Sequence, residues 1–137
     1  MNTELEKCLI EMAIEAAKGA YAPYSHYHVG AALLTEDEKI YTGCNIENVS
    51  FGATNCAERT AFFKAVSEGS RDFQAIAIVG GTADNESEGQ FSDYAFPCGV
   101  CRQVMKEFCK EGFVILVAKS VEDYQRFTLG ELLPHAF

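Results

Sequence analysis

Two short, mostly apolar segments constrain the fold more than any other feature of this sequence. They cover residues 73–79 and 113–118, and runs of this length suit strands that are buried on both faces. Between them, residues 97–110 have helical spacing, with Pro97 at the first helical position and Gly112 as the stop. A strand, a helix and a second strand in this order favour one sheet, partly parallel, with helices on its faces.

The rest of the chain supplies further helices and strands around this unit. An amphipathic helix is predicted at residues 3–18, where Thr3 and Glu6 fit a capping box. The pattern also predicts a helix at 55–68, a long polar loop at 80–96, a last helical turn at 129–133, and strands at 29–35, 40–44 and 124–128. We therefore expect an α/β fold in which a single mixed sheet of about five strands is sandwiched by helices, all within one domain of residues 1–137.

The charge balance and the start of the chain narrow the expected partners. Eleven Lys and Arg residues against 20 Asp and Glu residues give a net charge of −9, and no basic stripe is present. Nucleic acid and anionic membranes are therefore not expected as partners. The sequence contains no apolar window of membrane-spanning length, and its acidic first residues do not fit a secretory signal. We therefore expect a cytoplasmic protein.

Three of the six cysteines have the spacing of metal ligands. Cys98 and Cys101 are three residues apart at the start of a predicted helix, so both sulfurs can face one side of the first turn. Backbone N–H groups and the helix dipole lower the pKa of a thiol there, and zinc binds the thiolate. Cys56, at the start of another predicted helix, adds a third sulfur. Three protein ligands leave the fourth tetrahedral position open, which a catalytic zinc requires.

Glu58 is the candidate proton carrier beside these thiols. In a regular helix the side chains of Cys56 and Glu58 point about 200° apart. Both therefore reach one site only if Cys56 lies at the helix boundary, with Asn55 or Thr54 as the cap. Two simpler interpretations stay open at this point: Glu58 is a solvated carboxylate favoured by the helix dipole, and the C-x-x-C pair is a redox motif.

Longer motifs carry a resemblance to a known family. Cys56-Ala-Glu58 is followed about 40 residues later by Pro97-Cys-Gly-Val-Cys101, which is similar to the signature of the zinc-dependent nucleobase deaminases. Further segments extend the resemblance over nearly the whole chain, to the small, homotetrameric cytidine deaminases. These segments are Tyr21-Ala-Pro-Tyr-Ser25, Gly43-Cys-Asn-Ile-Glu-Asn48, Cys56-Ala-Glu-Arg-Thr-Ala61 and Leu132-Leu-Pro-His-Ala-Phe137.

The resemblance implies one zinc ion per chain and a specific reaction. The zinc ligands would be Cys56, Cys98 and Cys101. Arg59 would hydrogen-bond the zinc thiolates, and Glu58 would move protons between water and substrate. The implied reaction is the hydrolytic deamination of cytidine, and of 2′-deoxycytidine, to uridine or deoxyuridine and ammonia, in pyrimidine salvage.

The resemblance also implies substrate contacts and an assembly. Asn45 and Glu47 would hydrogen-bond the ribose hydroxyls. Tyr27 would face the pyrimidine or the sugar, and the N–H of Ala57 would bind the base carbonyl. The implied assembly is a homotetramer with composite active sites, to which neighbouring subunits would contribute two aromatic residues, Phe51 and Phe137.

The chain also departs from the family pattern at a few positions. Tyr27 stands where Phe is usual, Phe51 stands where Tyr is frequent, and the acidic segment 82–93 is longer than usual. Val100 and His135 replace the more common Ala and Gly. Two alternative functions remain from the sequence. One is a deaminase of the same fold that acts on a cytosine-nucleoside antibiotic or a modified base, and the other is a catalytically silent zinc-binding module.

Overall fold

A five-stranded mixed sheet forms the centre of the structure, a computed structural model that describes residues 1–137 apart from the side chains of residues 83–85. In chain order its strands are β1 (Tyr27–Thr35), β2 (Ile40–Cys44), β3 (Phe73–Thr82), β4 (Val114–Ala118) and β5 (Tyr124–Thr128). The strands lie in the order β2-β1-β3-β4-β5. β3 and β4 are parallel, and every other neighbouring pair is antiparallel. The predicted single mixed sheet is confirmed.

Helices cover both faces of this sheet. They are α1 (Thr3–Ala17), α2 (Ala57–Ser67), α3 (Gly99–Phe108) and the short α4 (Leu129–Leu132). α1 packs on one face, and α2 and α3 pack on the other, so the predicted sandwich is confirmed. Within the described residues, every helix is too short or too polar to cross a bilayer.

The packing of β3 explains why its sequence shows no alternation of apolar and polar residues. Ile76 and Ile78 are fully buried on the side of α2 and α3, while Ala75, Ala77 and Val79 are fully buried on the side of α1. Successive side chains of a strand point to opposite faces of the sheet. A strand that is covered on both faces therefore needs apolar residues at every position.

A glycine in β2 lets α2 lie directly against the sheet. A Cβ atom at Gly43 would lie 2.4 Å from the carbonyl oxygen of Ala57 and 2.6 Å from the amide nitrogen of Ala61. Real Cβ atoms essentially never approach backbone this closely, so no other residue type fits here without displacing the helix. The contact with Ala57 is at the first residue of α2, and Gly43 thus sets where this helix begins relative to the sheet.

The start of α1 differs from the sequence prediction. Asn2 is the cap, because its side-chain oxygen accepts a hydrogen bond from the amide of Leu5 at 2.8 Å, and the predicted capping box of Thr3 and Glu6 is wrong. Glu6 is buried instead and accepts hydrogen bonds from the Tyr124 hydroxyl at 3.0 Å and from Arg126 at 2.8 Å. A buried carboxylate needs such partners, and these two join α1 to β5.

The predicted loop at 80–96 is wrong at its beginning, because β3 continues to Thr82. Gly80 pairs with Val29 of β1, and a Cβ atom at Gly80 would lie 2.7 Å from the Cβ of Ala95. The glycine here marks a close approach between the sheet and the segment that carries Ala95 rather than a turn. A 3-10 helix over Ala83–Glu88 follows the strand.

Candidate active site

The starts of α2 and α3 meet at one edge of the sheet. α2 leads into β3, and α3 connects β3 to its parallel neighbour β4. Helices in such connections run back along the sheet, so their N-termini lie beside the carboxyl ends of the parallel strands. This edge is where open α/β sheets bind ligands, and both predicted thiol motifs lie there.

Cys56 lies at the boundary of α2, as the sequence predicts. It is the cap residue itself, with an extended backbone at φ −76° and ψ 154°, and Ala57 is the first helical residue. The predicted cap at Asn55 or Thr54 is therefore wrong. Because Cys56 lies outside the regular helix, the expected angle of about 200° between its side chain and that of Glu58 does not apply. Both residues line the same cavity.

Cys98 has the equivalent position at the start of α3. It caps the helix with an extended backbone, and its Sγ atom accepts a hydrogen bond from the amide of Cys101 at 3.5 Å. Pro97 therefore precedes the helix, and its predicted place at the first helical position is wrong. Each of the two helices thus has a cysteine at its N-cap position, and the sulfur atoms of these two cysteines are 3.7 Å apart.

The three predicted thiols form a compact cluster that fits a zinc ion. The Sγ atoms of Cys56 and Cys98 are 3.7 Å apart, those of Cys98 and Cys101 are 3.4 Å apart, and all three lie within 4.8 Å of one another. With zinc–sulfur bonds near 2.3 Å, two sulfurs of a tetrahedral site lie about 3.8 Å apart. The donor set and its spacing therefore match a zinc site with three thiolate ligands.

The surroundings of Cys56 favour its thiolate form. A hydrogen bond from the Cys101 thiol holds the pKa of the Cys56 thiol well below its usual range, against the opposing effect of burial. Arg59 adds to this effect, since its Nη2 atom donates to the Cys56 sulfur at 3.3 Å. The same hydrogen bond, together with burial, raises the pKa of the Cys101 thiol. A cation thus lies directly beside the thiolate.

Glu58 is a buried carboxyl group next to the thiols. Only 4% of the residue is exposed. Burial raises the pKa of Glu58 to about 7, a backbone hydrogen bond opposes the rise, and the negative charge of Cys56 increases it. A carboxyl group whose pKa lies near neutrality can both accept and release a proton at physiological pH. A solvated carboxylate at a helix start has neither this burial nor this pKa.

A cavity of about 220 Å³ opens beside the thiols and Glu58. The structure brings three of the predicted substrate-binding residues to its wall: Tyr27, Asn45 and Ala57. The side-chain amide of Asn45 donates to the Tyr27 carbonyl at 2.8 Å and accepts from the Val29 amide at 2.9 Å. One N–H of that amide remains for a ligand, and the two bonds hold it in a fixed orientation.

Glu47 and Phe51 lie in a second cavity of about 290 Å³, which shares Thr54 with the first. The Glu47 carboxylate accepts hydrogen bonds from the amides of Tyr24 and Ser25, at 3.0 and 3.1 Å, and from the Ser25 hydroxyl. The hydroxyl and amide bonds lower the pKa of Glu47. The carboxylate thus stays charged and fastens the loop before β1.

The two aromatic residues that are predicted to reach the sites of neighbouring subunits are turned outward. Phe51 is 81% exposed and Phe137 is 99% exposed. The backbone of Phe137 is tied to α3, because Gln103 donates to its carbonyl at 3.2 Å. The structure therefore does not bring the Phe137 ring to the cavity of its own chain.

Residues that the sequence analysis did not single out also hold the site together. Arg102 donates to the carbonyls of Pro97 and Leu132, both at 2.7 Å. It thus joins the residue before Cys98 to the end of α4. The Thr60 hydroxyl lies 3.0 Å from the Cys44 carbonyl and so joins α2 to the end of β2. Both residues occupy ordinary helical positions, and no spacing in the sequence distinguishes them.

Comparisons with known proteins agree with this site. Residues 3–117 match the family model of the cytidine and deoxycytidylate deaminase zinc-binding region. The cytidine deaminase of Sporosarcina psychrophila is 49% identical over 134 residues, which cover 98% of this chain and 91% of that protein. That of Halalkalibacterium halodurans is 51% identical over 129 residues, which cover 94% and 91%. A crystal structure of cytidine deaminase from Burkholderia pseudomallei superposes with a TM-score of 0.81 at 47% identity, covering 95% of this chain and 97% of that one. The chain belongs to the family of cytidine and deoxycytidylate deaminases.

Proposed function

We propose that this chain catalyses the hydrolytic deamination of cytidine, and of 2′-deoxycytidine, to uridine or deoxyuridine and ammonia. One observation carries the proposal: a buried carboxyl group, Glu58, lies beside three clustered thiols at the wall of one cavity. Nearly full-length similarity to two proteins named cytidine deaminase supports the substrate. A deaminase of antibiotics or modified bases is not favoured by these relatives, and the burial of Glu58 does not favour a silent zinc-binding module.

The thiol cluster supplies the metal site of this reaction. We propose that Cys56, Cys98 and Cys101 hold one zinc ion per chain, which when bound would act as a Lewis acid and lower the pKa of water to about 7. Arg59 stabilises the negative charge of the thiolates, since it already donates to the Cys56 sulfur.

Glu58 carries the protons of the reaction. Its carboxylate takes a proton from the water that attacks C4 of the ring, and delivers protons to N3 and to the departing amino group. Because burial raises the pKa of Glu58 to about 7, both its protonated and its ionised form are accessible at neutral pH. Water and cytidine thus yield uridine and ammonia, and Glu58 returns to its starting state.

The cavity residues orient the nucleoside. We assign the Ala57 amide to the base carbonyl, because the first amides of a helix have no partner within the helix and Ala57 lies at the cavity wall. Tyr27 lies against the pyrimidine or the sugar. Asn45 offers its remaining N–H to a ribose hydroxyl, and the Glu47 carboxylate accepts from another.

The size of the cavity supports an assembly with shared sites. Ligand pockets usually measure about 300 Å³ or more, whereas the cavity beside the thiols measures about 220 Å³. Phe51 and Phe137 are largely exposed, and neither ring lines this cavity. We therefore propose a homotetramer in which these two aromatic rings complete the sites of neighbouring subunits and exclude water from them.

The setting of the reaction follows from the same chemistry. We propose that residues 1–137 act as one domain in cytoplasmic pyrimidine salvage, on free nucleosides. The six cysteines are all free thiols in the structure, which suits a reducing compartment.

The reaction itself provides the test. Purified, zinc-loaded protein is incubated with cytidine and with 2′-deoxycytidine, while the loss of cytosine absorbance and the release of ammonia are followed together. We expect the absorbance loss and the ammonia release to correspond to equal amounts of converted substrate, with uridine or deoxyuridine as the product. Absence of turnover on both nucleosides by zinc-loaded protein would refute the proposed function.

A further inference from the structure

Tyr27 makes a contact with an acidic residue from a distant part of the chain. Burial raises the pKa of Tyr27 to about 12, and the nearby Asp93 carboxylate adds to the rise. The Asp93 backbone forms an antiparallel bridge with Gly80 of β3. A Cβ atom at Gly80 would lie 3.2 Å from Cε2 of Tyr27, so the tyrosine ring lies directly over this glycine. Because Cε2 is bonded to the carbon that carries the hydroxyl, the hydroxyl end of the Tyr27 ring lies beside Gly80, the residue whose backbone pairs with Asp93.

The segment that carries Asp93 is anchored independently of Tyr27. Phe91 is buried, with 6% exposure, and its amide donates to the Lys119 carbonyl at 2.9 Å. On the opposite face of β1, the buried Glu86 bonds to Nδ1 of His28 at 2.8 Å. Both anchors hold the segment in place, so Asp93 is fixed before any ligand enters.

We propose that Asp93 is a positioning residue that holds the Tyr27 ring in place as a wall of the nucleoside cavity. The role rests on the proposed function, because Tyr27 lies in the cavity with Glu58 and the thiols. The hydroxyl donates to Asp93, which directs it away from the base, and the ring then presents an apolar surface. A partly buried tyrosine hydroxyl needs a partner. Without Asp93 the ring turns, or water enters the wall, and the nucleoside binds less tightly.

This role predicts a specific split between binding and turnover. Asp93→Ala should raise the KM for cytidine about 5- to 30-fold, as expected when a partly buried donor loses its hydrogen-bond partner. The value of kcat should stay within about 3-fold, because Glu58 and the thiols are untouched. Asp93→Asn keeps an acceptor oxygen and should recover most of the loss. Asp72→Ala, an exposed aspartate at the other end of β3, is the control and should leave both constants unchanged.

A double-mutant cycle with Tyr27→Phe tests whether Asp93 acts through the tyrosine hydroxyl. In the Tyr27→Phe background, Asp93→Ala should change KM by less than about 2-fold. Calorimetric titration with uridine, the product, should show the same pattern in the dissociation constant. The positioning role is overturned if Asp93→Ala leaves KM and uridine binding unchanged, if Asp93→Asn is no better than Ala, or if the full effect persists without the hydroxyl. Wild-type protein that fails to deaminate cytidine overturns the proposed function instead, which separates the two failures.

Discussion

The close packing of Gly43 against α2 gives a prediction that joins stability to activity. The change is Gly43→Ala, which adds one methyl group on the face of β2 that carries the helix. Ordinary contact begins at 3.4 Å, so a Cβ atom 2.4 Å from the Ala57 oxygen is about 1.0 Å too close. The obstacle is backbone at the first turn of α2 and cannot rotate away. The start of the helix must therefore move by a distance of this order.

This displacement has two separate consequences. Overpacking of this kind lowers the free energy of unfolding by about 1–3 kcal/mol, which for a chain of this length corresponds to a melting temperature lower by about 4–12 °C. The displaced turn also carries Cys56 and Glu58. A misplacement of about 1 Å reduces turnover on the order of 100-fold. We expect both losses, with the loss of activity much larger than the fraction of unfolded protein explains.

Two matched glycine variants serve as controls. A Cβ atom at Gly112 meets nothing within 4 Å, so Gly112→Ala should keep both stability and activity. A Cβ atom at Gly30 would lie 2.0 Å from the Ala13 carbonyl of α1, on the face of the sheet away from the thiols. Gly30→Ala should therefore lower the melting temperature while the folded protein keeps most of its activity.

Thermal unfolding at matched protein concentration and kcat/KM for cytidine, per zinc-loaded molecule, measure the two effects. Wild-type turnover by Gly43→Ala at an unchanged melting temperature would refute the packing argument. Equal activity losses in Gly30→Ala and Gly43→Ala would show that general destabilisation, rather than displacement of α2, is responsible.

Three further predictions concern the metal, the substrate and the assembly. Cys98→Ala should lose zinc and melt at a lower temperature, because metal binding is also folding free energy, and full zinc content in this variant would contradict the ligand assignment. Cytidine should react far better than its 5′-phosphate, since the chain is acidic and Glu47, the proposed partner of the ribose, is itself negatively charged, and comparable kcat/KM values would contradict this. Mixed oligomers of a Glu58→Gln chain and a chain that lacks Phe137 should exceed the summed activity of their parents. If verified hybrids show only the average activity of their parents, the Phe137 ring acts within its own chain and not at a neighbour's site.

Periodicity predicted the sheet and the sandwich because burial on two faces leaves a direct trace in the sequence. The apolar runs of β3 and β4 and the helical spacing of α1, α2 and α3 all record which faces are covered. The position of Cys56 at a helix boundary was also predictable, since a thiol and a carboxyl two residues apart cannot otherwise share a site.

Features that depend on distant contacts were not predictable. Gly80 was assigned to a loop because glycine usually breaks a strand, whereas it is needed here for the close approach of Ala95. Glu6 was assigned to a helix cap because its spacing from Thr3 is correct, whereas β5 offers it an arginine and a tyrosine. Asp93 is one acidic residue among many in its segment, and only the folded chain shows that it meets Tyr27.

The turnover of Glu58→Gln at full zinc content tests the central claim most directly, that a buried proton carrier acts beside a three-thiol metal site. Glutamine keeps the shape of the side chain but cannot carry a proton, and Glu58 is not among the clustered thiol ligands. We predict zinc content and melting temperature close to those of the wild type, with kcat for cytidine lower by at least about 100-fold, as for the loss of a general acid–base group. Near-normal turnover at unchanged zinc content would contradict the account, because Glu58 would then be only a buried carboxyl group at the start of a helix.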